Sequence, residues 1–137
     1  MKITMGSQSS KRSPSKNKNN QITHTHFRVV PSSQHWCPPT DIYETEDSVI
    51  VRVEIAGMSE AEFTISLDDD LLTIQGVRPD LPEERAYHQM EIRFGEFKSQ
   101  VTLHWAIDPT GIDADYQDGF LRLVLPKAKP HRIEIGE

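Results

Sequence analysis

Six histidines, one cysteine and a run of three aspartates are the residues with which metal or nucleophilic chemistry would begin in this 137-residue sequence. His24 and His26 lie two apart, with His35 and Cys37 beyond, a loose set that soft metals bind adventitiously but that lacks zinc-site spacing. Asp68-Asp69-Asp70 offers hard oxygen ligands, yet the further ligands of a calcium loop are missing, and three Asp between apolar runs suit a turn. His104 and His131 have no Ser or Cys partner at a recognisable spacing and no paired acid. No glycine precedes a Lys, and neither G-x-G-x-x-G nor G-x-S-x-G occurs, so phosphate cradles and nucleophile elbows are missing. These residues predict a non-enzymatic protein with no cofactor and no metal; a β-sandwich hydrolase using His104 or His131 is the enzyme-class alternative.

Recognition chemistry is better supported. In extended Ile133-Glu134-Ile135 the two Ile side chains project from one side, roughly 7 Å apart, and can fill neighbouring apolar pockets while Glu134 points away. The alternative is one more strand of the same sheet. Against it, residues 127–132 form a polar linker in which Pro130 breaks pairing, and only Gly136 and Glu137 follow. The spacing favours a detached docking peptide.

Charge is divided unevenly. The net charge is -6, but residues 1–40 contain Lys2, Lys11, Arg12, Lys16, Lys18 and Arg28 and no acid. Such an arm attracts phosphates weakly, without base readout, and the acidic remainder opposes it, so no specific nucleic-acid partner is expected. No apolar run is long enough to span a bilayer and no secretory signal is legible, so a soluble protein without integral membrane association is expected. A single cysteine cannot form an internal disulfide, and a reducing cytoplasm fits best.

The elements that must position the docking peptide follow a period of two. Residues 1 to about 26 are too polar to offset the entropy of ordering, and residues 1–35 read as a flexible basic arm. Within it Phe27, Val29 and Val30, and then Trp36, are the first apolar group. Val49, Val51, Val53 and Ile55 alternate with Ile50, Arg52 and Glu54, predicting a strand with one buried face and one mostly wet face. Phe63, Ile65 and Leu67 repeat the pattern and pass through the Asp68–Asp70 turn to Leu72 and Ile74, a hairpin. Phe97, Ser99, Val101 and Leu103 form another face. Ile112, Ala114 and Tyr116 lead through Asp118-Gly119 to Leu121, Leu123 and Leu125, which Pro126 stops. About seven short strands without an amphipathic helix predict an all-β fold, two antiparallel sheets face to face. Residues 79–95 are too long and charged for a simple connection; Tyr87 to Glu91 read as an edge strand able to pair with another subunit.

In order and spacing these segments resemble the small heat-shock proteins of the bacterial and plant type. The resemblance rests on Pro38-Pro39-x-Asp41-Ile42-Tyr43-Glu44, Val51-Arg52-Val53-Glu54-Ile55-Ala56-Gly57 and Leu72-Thr73-Ile74-Gln75-Gly76. It continues through Tyr87, Glu91, Gly95 and Phe97, then Ala114-x-x-x-Asp118-Gly119-x-Leu121 and Leu125-Pro126-Lys127, with Ile133 and Ile135 as the C-terminal Ile-x-Ile. It implies an immunoglobulin-like alpha-crystallin domain over residues 36–127 and an extension over residues 128–137. It further implies dimers that exchange the strand at Tyr87, His88, Gln89, Met90 and Glu91. Larger homo-oligomers would form as the tail docks between Phe63, Ile65, Leu67 and Ile112, Ala114, Tyr116.

The implied activity is an ATP-independent holdase that binds partly unfolded clients under heat or other stress, through Phe27, Val29, Val30 and Trp36, and leaves release to ATP-dependent chaperones. A monomeric CS-type adaptor sandwich is the rival. Two positions depart from the family pattern, which has Phe-x-Arg and Leu-Pro where this chain has Phe97-Lys98-Ser99 and Leu103-His104. Arg93 is the candidate to replace the missing Arg.

Overall fold

The computed structural model describes residues 1–6, 35–130 and 135–136. Their strands are β1 (Lys2–Gly6), β2 (Thr40–Glu44), β3 (Ser48–Glu54), β4 (Thr64–Asp68), β5 (Leu71–Arg78), β6 (Gly95–Thr102), β7 (Asp113–Gln117) and β8 (Phe120–Pro126). They form two four-stranded sheets, β1-β4-β5-β6 and β2-β3-β8-β7, with no α-helix among the described residues. The expected two-sheet sandwich is thus the observed architecture.

Alternation decides which residues meet between the sheets. Val49, Val51 and Val53 stand opposite Leu125, Leu123 and Leu121 in the β3–β8 register, and all six are fully buried. Phe63, Ile65, Leu72, Ile74 and Phe97 supply the facing layer, each at 1% exposure or less. Ile50 departs from the expected wet face. It is 2% exposed although it points outward, with Tyr43 and Val124 beside it in register. A β-branched side chain between two large neighbours leaves the pleat little accessible surface.

Turn chemistry fixes the registers. Asp118 and Gly119 have φ of 53° and 82°, the paired positive values that a two-residue hairpin turn between Gln117 and Phe120 requires. In the turn between Asp68 and Leu71 only Asp69, at φ 52°, takes a positive value. Gly76 is dictated by close approach: a Cβ there would lie 2.7 Å from both the Glu62 carbonyl oxygen and Phe97 Cζ.

The sandwich has two open sides. At one, Thr40 Oγ1 and Ser99 Oγ are 3.1 Å apart, joining β2 to β6 across the layers. At the other, the Phe63 and Tyr116 ring centroids are 5.1 Å apart, joining β4 to β7. The Tyr116 hydroxyl donates to Ile55 O at 2.8 Å and accepts from Met58 N at 3.3 Å, which locks that ring.

One expectation needs correction. Residues 2–6 do not belong to a structureless arm: they form β1, parallel to β4, because the unpaired β4 backbone offers Lys2–Gly6 the hydrogen bonds that composition alone could not predict. Within the single chain Tyr87 to Glu91 belong to no ladder, which is compatible with the expected pairing to another subunit.

Candidate subunit-docking surfaces

Three surfaces leave strand-pairing or apolar capacity directed outward. The first is the β4–β7 side. The structure brings the predicted groove residues together, but in unequal roles. Phe63, Ile65 and Leu67 are 0%, 1% and 9% exposed and belong to the core, whereas Ile112, Ala114 and Tyr116 are partly buried at its margin. What β4 presents at this side is its backbone edge, and β1 lies along it with Lys2 N donating to Phe63 O at 3.0 Å. Sequence reasoning missed β1; its signal was Ile3 and Met5, two apolar residues spaced for a strand inside a polar arm.

The second comprises two separate features, β2 and the long β5–β6 connection. β2 pairs with β3 on one side only, and Ile42 and Tyr43 are 41% and 45% exposed. In the connection Tyr87, Met90 and Ile92 are 48%, 61% and 64% exposed, a high apolar exposure for a polar loop. His88, Gln89 and Glu91 are exposed with them. Arg85 holds the loop in shape: its guanidinium donates to Leu81 O at 2.8 Å, Glu83 O at 2.9 Å and the Tyr87 hydroxyl at 2.6 Å, and pairs with Asp80. The Tyr87 hydrogen bond, followed by the Asp80 contacts, raises the Arg85 pKa above its ordinary value.

Trp36, expected among client contacts, is engaged elsewhere. Its backbone bridges β6 in parallel, with Trp36 N donating to Glu96 O at 3.1 Å and Lys98 N donating to Trp36 O at 3.0 Å. Its indole donates to Gly95 O at 3.3 Å, and Arg78 stacks 4.4 Å from its ring. Trp36 therefore covers the start of the outer edge of β6, around Phe97, while β2 has no partner along its outer edge among the described residues. Phe27, Val29 and Val30 lie outside the described residues.

The third surface is the tail and its root. Lys127 Nζ lies 2.7 Å from Glu44 Oε2 and donates to Thr45 O at 2.9 Å, while Trp105 Nε1 donates to the same Glu44 oxygen at 3.0 Å. The Lys127 hydrogen bond and charge, helped by Trp105, hold the Glu44 pKa below its ordinary value. Ala128 N donates to Ala106 O at 2.8 Å, the backbone tether nearest the C-terminus among the described residues. Ile135 is 92% exposed; Ile133 lies outside the described residues.

Residues that sequence reasoning weighed for other chemistry are dispersed. Cys37 is exposed and unpaired, Asp68, Asp69 and Asp70 are exposed around a turn, and His104 lies against Trp105 at 6.3 Å between ring centroids. Among the described residues no cluster of three His, Cys, Asp or Glu is placed to hold a metal, and no helix is long and apolar enough to cross a membrane. Ser99 is 3% exposed and within hydrogen-bond distance of Thr40, a buried role for a side chain that is polar and small.

Comparison with known proteins accounts for this arrangement. Residues 41–136 match the Hsp20/alpha crystallin family. The chain is 32% identical over 103 residues to small heat shock protein C2 of Rickettsia felis, covering 72% of this chain and 67% of that protein. It is 35% identical over 101 residues to 18 kDa antigen 2 of Mycobacterium avium, covering 72% and 73%. Among solved structures it is similar to heat shock protein 16.0 from Schizosaccharomyces pombe, with TM-score 0.62 and 29% identity over 74% of this chain and all of that one. A small heat-shock protein from Xylella fastidiosa gives TM-score 0.63 and 27% identity over 76% of this chain. The chain belongs to the Hsp20/alpha crystallin family of small heat-shock proteins, which are ATP-independent chaperones and not enzymes.

Proposed function

We propose that this chain is a holdase subunit of the cytoplasm that captures partly unfolded proteins and suppresses their aggregation under heat or other stress. The observation that carries the reading is a sandwich with an open β2 edge and an exposed apolar loop, together with a tail whose Ile135 is 92% exposed. Unpaired edges and exposed apolar groups are liabilities in a monomer and assets in a self-assembling chaperone.

In this reading Tyr87, His88, Gln89, Met90 and Glu91 become a strand on the β2 edge of a second copy, giving the dimer. Ile133 and Ile135 dock at the β4–β7 side of a neighbour, over the edge whose inward residues are Phe63, Ile65 and Leu67 and whose far wall is Ile112, Ala114 and Tyr116. Burying two Ile contributes about 3 to 6 kcal/mol gross, whereas association costs about 4 to 15 kcal/mol. One tail is therefore a weak bond, and many in a closed assembly reinforce one another by effective concentration. Weak, repeated contacts let subunits exchange and uncover apolar surface on warming.

Phe27, Val29, Val30 and Trp36 serve as client contacts, with Trp36 available only when its bridge to β6 opens. Preferential binding of unfolded chains suppresses their aggregation without nucleotide, and release falls to ATP-dependent chaperones. The monomeric adaptor alternative leaves the exposed loop and the Ile pair without a role. Light scattering of a heat-labile enzyme, with this protein present and ATP absent, tests the reading. Suppression at equimolar subunit ratio is expected, and undiminished aggregation would refute it.

A further inference from the structure

Ile3-Thr4-Met5 repeats in β1 the spacing of Ile133-Glu134-Ile135 in the tail. Each places two apolar side chains on one face of an extended segment, roughly 7 Å apart, with a polar residue turned the other way. β1 runs parallel along β4 with Ile3 opposite Ile65 and Met5 opposite Leu67. Partners in register share a face, so Ile3 and Met5 stand on the inward side, at the mouth where Phe63 meets Tyr116. Met1, on the same face by alternation, packs against the core cluster. The other side of β4 is taken by β5, so β4 has one edge to give and β1 holds it.

We propose that Lys2–Gly6 is a built-in competitor of the Ile-x-Ile tail: it covers the β4 edge of its own subunit until the tail of a second copy displaces it. The proposal rests on the reading that Ile133 and Ile135 dock on that edge. Two strands cannot pair with one edge, so the occupants are mutually exclusive. Several features make β1 an exchangeable occupant and not a permanent strand. Ile3 and Met5 stay 40% and 45% exposed, whereas Ile65 and Leu67 beside them are 1% and 9% exposed. β1 pairs with β4 alone. The tail offers two β-branched Ile where β1 offers one Ile and an unbranched Met, and branched side chains suit a pleated edge better. The device also keeps a dissociated subunit from exposing a bare edge that would template aggregation.

A competitor that holds the edge roughly nine-tenths of the time weakens tail binding about tenfold, since apparent affinity scales with the open fraction. The test traps β1. Thr4 and Ser66 are opposite in register, so Thr4→Cys with Ser66→Cys, in a Cys37→Ser background, allows a disulfide across β1 and β4. The full chain also carries Ile133→Ala and Ile135→Ala, so that its own tail does not compete. A fluorescent peptide of residues 128–137 is then titrated onto it by anisotropy. The disulfide should form, read by resistance to alkylation, and oxidised protein should bind the peptide at least tenfold more weakly than reduced protein. Ile3→Asp with Met5→Asp in the Ile133→Ala, Ile135→Ala chain should tighten binding about tenfold.

Equal binding by oxidised and reduced protein overturns the competition and leaves tail docking standing. Failure of the disulfide to form places β1 away from β4 and overturns it as well. Absence of peptide binding to every form, the Asp variant included, removes tail docking itself and the proposal with it.

Discussion

Glu44 is a surface carboxylate with two unrelated neighbours, Lys127 at the root of the tail and the indole of Trp105. Its lowered pKa means that the folded protein holds this site ionised where the unfolded chain would already take up a proton. The stabilisation is complete above the ordinary carboxylate range and is lost as pH falls through the lowered folded value. Glu44→Gln should therefore reduce the drop in thermal midpoint between pH 6 and pH 3, measured by circular dichroism. Asp108, lowered by the Thr110 hydroxyl and amide, keeps part of that acid sensitivity in the variant. An unchanged slope would show that the Lys127 contact is too solvated to matter. Gly76 gives a second prediction at this scale. The missing Cβ leaves room for the Phe97 ring and the Glu62 carbonyl, so Gly76→Ala should cost about 1 to 3 kcal/mol in urea unfolding. No loss would mean that β5 and β6 shift apart at small cost.

Strands that bury a face were legible because alternation of apolar and polar residues is itself the signal. Val49 to Val53, Phe63 to Leu67 and Leu121 to Leu125 read as strands, and all but Phe63, which immediately precedes β4, lie in strands. Strands defined by an edge were not legible. β2 has no buried residue and no period-two contrast, and β1 alternates only at Ile3 and Met5, too short a run to stand out from a polar arm. The same reason hides the state of Tyr87 to Glu91: pairing, not composition, decides it. Of the candidate surfaces, the Ile pair and the β4–β7 side are the ones proposed from sequence, while the occupant of the β4 edge, the Arg85 clasp and the Trp36 bridge depend on long-range contacts. At this scale the tail makes the sharpest prediction. Ile133→Ala with Ile135→Ala should reduce large assemblies to dimers in light scattering after gel filtration. Retention of the full mass would assign assembly to another element.

As a whole the molecule is an acidic sandwich joined to a basic arm, with pairing capacity left at its sides and a tether leaving from a fixed point. The Ala128–Ala106 hydrogen bond makes that point definite. Five residue steps separate Ala128 from Ile133, so a fully extended leash reaches roughly 17 Å. A leash so short acts as a ruler. In the proposed assembly, two sandwiches joined by it would have to approach within one narrow range of distance and angle, and closure would then admit few subunit numbers. Inserting two Gly-Ser pairs after Lys129 should broaden or shift the native mass distribution without altering the thermal midpoint of the domain. An unchanged mass would place the ruler elsewhere. Assembly size in this protein is thus expected to be a property of linker length, open to change by insertion without touching the interface that holds the subunits together.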